Sequence, residues 1–166
     1  MEKIYITMVM VAMLMCTACN RDVKKVAGDY SYKLSGMVTF TSGDGDTKSI
    51  LVNKQGQMNI VESPKGEKGA VVVTFNEMNG GAYTCTGTVS RNNIELDPHV
   101  QNMQFSSLAT DASLIQLNRI YTVVMKGRGV IQDETMIVEE SWSGRPQNDS
   151  AVELNAEKVT LLAEKN

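Results

Sequence analysis

From Asp29 onward the chain alternates apolar and polar residues with a period of two. Tyr30, Tyr32, Leu34, Val38 and Phe40 fall on one face, with Ser31, Lys33, Ser35 and Thr39 on the other. The rhythm returns at Val71, Val73 and Phe75, and again at Tyr83, Cys85 and Val89 against Thr84, Thr86 and Thr88. Successive side chains of a strand point to opposite faces, so this pattern predicts strands buried on one side only. Residues 48–53 and 57–62 read as two short strands around a turn at Lys54-Gln55-Gly56. Further strands are expected at 94–96, 120–125, 136–142, 152–154 and 159–162. Asn79-Gly80 and Asn92-Asn93 supply reversals, and Gly80-Gly81 and Gly127-Arg128-Gly129 read as turns or bulges.

Most of these connections are too short for a crossover, so sequential strands must pair as antiparallel neighbours. A twisted meander of that kind tends to close on itself. The expected fold is therefore all-β, an antiparallel meander closing into a barrel of about eight strands, with a β-sandwich as the alternative. Residues 99–118 break the rhythm; Thr110-Asp111 could cap one helical turn there, and the stretch reads as a long loop or a lid.

The front of the chain follows different rules. Lys3 is followed by Ile4 to Met15, apolar except for Thr7, and then by Thr17, Ala18 and Cys19. A basic start, a short apolar run and a small-residue cleavage site describe a secretory signal, and the run is too short to span a bilayer. Cys19 follows two small residues, whereas Cys16 follows Leu14 and the bulky Met15. The site resembles the lipobox of bacterial lipoproteins, with Cys16 standing where Leu is usual. That resemblance implies acyl chains on Cys19, several of them making a durable membrane anchor. The expected organisation is a signal at 1–18, a lipidated tether at 19–28 and a single β domain at 29–166. Asn20 is not the Asp that retains some lipoproteins at the inner membrane. An outer-membrane address follows, with the face left open.

Cleavage after Ala18 would leave the net charge at −3, because Glu2 and Lys3 depart together. Mild acidity with scattered lysines argues against a nucleic-acid surface. Cys85 would then have only the anchor cysteine for company, so no disulfide framework is expected and Cys85 reads as a small buried hydrophobe.

The segments VAGDYSYKLSGMVTF, TFNEMNGGAYTCTGTVS and MKGRGVIQDETMIVEESWSG are similar to the calycin-like (lipocalin-like) β-barrel lipoproteins of gut-type Gram-negative anaerobes. The resemblance covers about residues 26–163. It implies a barrel of about eight antiparallel strands and a small apolar ligand, and it brings no binding residues with it.

Candidate chemistry is sparse. Asp44-Gly45-Asp46 begins like a calcium loop, but the fifth and twelfth positions are Lys48 and Gln55, so a hairpin turn is expected. His99 is the only histidine and reads as a solvated loop residue without metal or triad partners. Glu139 and Glu140 cannot converge from one strand, and both are expected as solvated or edge charges. The glycine clusters precede no amphipathic helix, which excludes a phosphate cradle. Tyr30, Tyr32, Tyr83 and Trp142 read chiefly as packing residues, with a ligand-lined cavity or glycan-stacking surface as the alternative. Asp149-Ser150-Ala151 matches an O-glycosylation acceptor pattern of the same bacterial group, which makes Ser150 a candidate modification site. No catalytic, cofactor or metal residue is assigned, and no ligand-binding residue can be named. The functional expectation is an anchored envelope barrel, not an enzyme, that takes a small hydrophobic or amphipathic molecule. The alternative is a module docking another envelope protein or a glycan, with 99–118 as its contact.

Overall fold

The computed structural model describes residues 21–78, 80–105, 119–148 and 151–166. Cys16, Cys19, Asn79, Thr110, Asp111 and Ser150 lie outside the described residues. Eight strands follow in chain order: β1 (Gly28–Thr41), β2 (Thr47–Glu62), β3 (Ala70–Glu77), β4 (Ala82–Ser90), β5 (Asn93–Gln104), β6 (Ile120–Gln132), β7 (Thr135–Pro146) and β8 (Glu153–Lys165). Each pairs antiparallel with the next, and β1 pairs with β8 to close the barrel. The barrel, not the sandwich, is the architecture.

The alternation that announced the strands now has an inside. Tyr30, Tyr32, Leu34, Val38 and Phe40 are buried, as are Val71, Val73 and Phe75 across the sheet. Each large apolar side chain so buried contributes about 1.5–3 kcal/mol relative to exposure. The outer face carries Thr, Lys, Ser and Gln with exposed ion pairs such as Arg128–Glu95 and Lys158–Glu139. The same face also exposes apolar side chains, among them Met37, Leu51, Val124 and Ile137, while the interior is apolar, unlike the polar interior of barrels that cross a bilayer.

One end of the barrel is plugged. Residues 21–26, inside the stretch expected to be a tether, form a short helix that buries Val23 and Val26 in the core. The Tyr30 hydroxyl donates to the Val26 carbonyl at 2.7 Å, and the Lys165 ammonium donates to the Lys25 carbonyl at 2.9 Å. At the other end Phe40, Phe105 and Tyr121 meet edge to face, with centroids 5.2–5.7 Å apart.

Several expectations are corrected. No turn interrupts β2 at Lys54–Gly56: the strand runs unbroken for 16 residues because Lys33, Leu34 and Tyr32 pair opposite that segment. Gly127-Arg128-Gly129 is neither turn nor bulge but mid-strand β6, where Gly127 and Gly129 face inward. A Cβ on Gly129 would lie 2.2 Å from the Ile137 carbonyl, so the neighbouring strand approaches too closely for a side chain. The first third of the irregular 99–118 stretch is strand: His99 to Gln104 continue β5 and pair with β6. A register shift between Leu96 and His99 hid this, since the bulge resets the alternation.

Phe75→Ala, which empties the centre of the inner layer, is expected to cost about 3–5 kcal/mol in urea unfolding. Thr74→Ala, one residue away on the outer face, is expected to change stability by about 0.5 kcal/mol or less.

Candidate functional site

The wall of the barrel is incomplete near its open end, and the reason is strand length. β3 and β4 have 8 and 9 residues, against 12 to 16 in the others. Their hairpin reverses at Met78–Gly81, level with Gly56 of β2, where Gly56 pairs with Glu77. On the far side β4 and β5 share only four paired positions, from Gly87↔Leu96 to Ser90↔Asn93. Pro98 has no N–H to give, and the Leu96–His99 bulge turns β5 away, so the ladder stops there.

The space between is a cleft of about 1150 Å³. Asn53, Lys54 and Gln55 of β2 form one wall and Val100 to Phe105 the other, with the β3–β4 hairpin below. Inward-facing Leu34, Met103 and Phe105 give it apolar surface. Its polar groups include the Lys54–Glu77 ion pair at 2.7 Å, whose side chains are 23% and 15% exposed, and Gln101. Two polar atoms are buried without a hydrogen-bond partner among the described residues: Nε2 of Gln101, which lines the cleft, and Nε2 of His99.

Sequence reasoning placed His99 in a solvated loop. It sits instead half-buried on β5, stacked on Tyr83 at 5.9 Å, with Nδ1 3.0 Å from the Asp97 carbonyl. Tyr83 is stacked in turn on Phe75 at 4.6 Å, and Phe75 meets Tyr32 edge to face at 5.5 Å. Tyr30, Tyr32 and Trp142 are core residues, as the packing reading expected, while Tyr83 is half-buried and lines the cleft. Cys85 is a free, buried thiol, and burial followed by the Glu140 and Asp97 charges pushes it up to about 12.

The largest correction concerns Glu140. Glu139 does project into solvent and pairs with Lys158, but Glu140 is 2% exposed inside the barrel. The one-face argument was right about the pair and wrong about which environment the inner member meets. Room for it comes from the neighbouring strand: a Cβ on Gly127 would lie 3.1 Å from Glu140 Cγ and 2.8 Å from Val138 Cγ1. One carboxylate oxygen accepts a 2.8 Å hydrogen bond from Trp142 Nε1, two residues along the same face. Desolvation pushes the Glu140 carboxyl up to about 7, against the lowering effects of that hydrogen bond and of the Lys54 charge. Tyr32 and Tyr83 are both pushed upward, by burial first and then by the charges of Glu77 and Glu140. The Tyr32 hydroxyl has no partner among the described residues. A Glu followed two places later by Trp, with Gly on the adjoining strand, is the sequence signal that could have exposed this group.

Asp44-Gly45-Asp46 forms the β1–β2 turn expected of it, with Gly45 at φ 86° and the Gly45 N–H donating to the Ser42 carbonyl at 2.9 Å. No group of three or more metal-ligating side chains is found among the described residues.

Fold and site together define a closed eight-stranded antiparallel barrel, plugged by a helix at one end and cleft at the other. No protein-family model matches the chain, and no curated protein does. Among solved structures it is similar to a candidate outer membrane protein of Bacteroides fragilis, at 16% identity and a TM-score of 0.41. The match covers 86% of this chain and 52% of that one, so the chain spans about half the length of that protein.

Glu140 gives a pH prediction with a definite sign. The folded state holds its proton up to about pH 7, while the unfolded chain releases it near 4.5. Between those values the native state binds more protons, so stability should fall as pH rises and then level off. The fall attributable to this group is about 3 kcal/mol. Glu140→Gln should remove it, leaving the variant more stable than the parent in urea melts at pH 8 and similar at pH 4.

Proposed function

We propose that this protein is an envelope β-barrel lipoprotein of the calycin-like kind, tethered by acyl chains on Cys19, that holds a small amphipathic molecule in the cleft at its open end. The observation that carries the reading is the cleft itself. It offers about 1150 Å³ in which Leu34, Met103 and Phe105 stand beside an ion pair and carboxamides. Ligand sites are commonly concave and apolar, with a few polar groups that fix orientation. The barrel below the cleft is filled by its own side chains, with Val73, Phe75, Tyr121 and Leu161 fully buried. The ligand therefore belongs at the mouth and not along the axis. The reading assigns binding and no catalysis.

The outer-membrane address rests on the leader and on Asn20. The helix at 21–26 plugs the end opposite the cleft. A tether entering there would put the plugged end next to the lipid and turn the cleft towards the aqueous side.

One observation favours a second reading, docking of an envelope protein. Among the described residues, the facing margins of β4 and β5 beyond Gly87 and Leu96 have no strand partner on that side, and an extended segment could add to them.

Organic-solvent extracts of the purified protein, analysed by mass spectrometry, should contain a reproducible amphipathic compound. A clean extract, with no thermal shift on adding amphiphiles, would favour docking. Separately, Cys19→Ser should abolish acyl labelling and leave the chain unprocessed by lipoprotein peptidase. Normal labelling of that variant would remove the anchor from the proposal.

A further inference from the structure

One wall of the cleft is the edge of a sheet. β2 pairs with β3 only from Gly56↔Glu77 to Glu62↔Val71, while its pairing with β1 continues to Thr41↔Thr47. Above the hairpin, Leu51 and Asn53 therefore have a strand on one side and, among the described residues, none on the other. One hydrogen bond shows which way their main chain points. The Met78 N–H donates to the Gln55 carbonyl at 2.9 Å, so Gln55 turns its backbone away from β1. Main-chain groups alternate in direction along a strand, so those of Asn53 and Leu51 turn the same way, to the side that β3 leaves vacant. Asn53 itself lines the cleft.

Free edges are commonly blunted by a proline or a bulge. The facing margin of β5 has both, Pro98 and the Leu96–His99 bulge, whereas the β1–β2 ladder has no register shift and β2 holds no proline. The β2 margin is the one left fit for pairing. The rest of the lining suits a peptide group. Asn53, Gln55, Gln101 and Asn102 bring carboxamides, each offering the donor and acceptor of a peptide unit, and Gln101 Nε2 is a buried donor without a partner among the described residues. Leu34, Met103 and Phe105 supply an apolar floor for one face of a strand. Lys54 and Glu77 neutralise each other at 2.7 Å, which leaves the charge of Lys33 at the cleft and favours an acidic segment over a basic one.

Resting on the cleft as a ligand site, we propose that its amphipathic ligand is an extended peptide, which adds to the β2 edge at Leu51 and Asn53 as an antiparallel strand in line with β3. Its alternate N–H and C=O groups pair with those of Asn53 and Leu51, and a carbonyl on its far side accepts from Gln101 Nε2. Apolar side chains at every second position pack on Leu34, Met103 and Phe105. Main-chain bonds supply affinity and the alternating floor supplies selectivity.

The probe is a capped heptapeptide that alternates valine with threonine and glutamate, titrated calorimetrically into the acylated full chain on phosphatidylcholine vesicles. Amide hydrogen exchange across residues 47–55 should slow when it binds, with no change at 57–60, which are paired on both sides. With valines turned inward, the threonine and glutamate nitrogens face β2. N-methylating those should weaken binding about tenfold, and N-methylating the valines about twofold or less. Asn53→Pro removes the N–H on the vacant side and none on the β1 side, so it should bind the peptide roughly fivefold more weakly than Asn53→Ala. Equal losses from the two methylation patterns, or binding without slowed exchange at 47–55, would overturn strand addition. Saturable thermal stabilisation by 1-octanol without peptide binding would overturn it and leave the cleft reading standing. No response to either compound would remove both.

Discussion

The ladder between β1 and β8 is the contact on which everything else hangs. It runs from Tyr30↔Lys165 to Thr41↔Glu153, and it converts a meander with two open edges into a surface with an interior. Because side chains alternate, the register of that ladder decides for every strand which residues face inward. A single-residue slip would bring Lys33, Ser35 and Thr39 into the core. The register is not uniform. It shifts between Gly36 and Thr39, and Gly36 is there because a Cβ would come within 2.8 Å of the Val159 backbone.

Closure of this kind leaves two ways to build a site: hollow the barrel or notch its wall. This chain takes the second. Its middle is packed by aromatic and β-branched side chains, and the opening comes from a hairpin too short to reach the rim and a proline where a ladder partner would be needed. The notch lowers the number of strand pairings at one end, where the hairpin bonds of neighbouring strands must carry the structure. At the other end the 21–26 helix compensates by burying Val23 and Val26 beneath the strands. Lys54, Glu77 and Gln101 lie on the inner face of strands that are otherwise apolar inside, and all three line the cleft. Glu140 lies on the inner face of β7, between β6 and β8, and is not part of that lining.

Much of the outline was legible from residue order because strand alternation is a local property. Tyr30–Phe40, Val71–Phe75 and Tyr83–Val89 each declare their faces within a few residues, and the β1–β2 turn at Asp44-Gly45-Asp46 does the same. Where local signals misled, a partner strand was responsible. Lys54-Gln55-Gly56 has turn-forming chemistry, yet pairing with β1 keeps it extended. Gly127-Arg128-Gly129 resembles a reversal, yet its glycines exist to let β7 approach. His99 follows a bulge that breaks the alternation by which a strand would be recognised.

The amino-acid sequence by itself determined the class of fold, the antiparallel order of its strands and which residues of most strands face the core. Those depend on period and turn chemistry, which neighbours along the chain decide. Only the tertiary structure decided that Glu140 is buried beside Trp142, that Lys54 meets Glu77, and that the wall opens between β2 and β5. The ion pair and the opening join residues far apart in sequence, and Glu140, only two places from Trp142, has its room from Gly127 on the adjoining strand. Their environment is set by the strand that lies alongside, and no single segment contains that information.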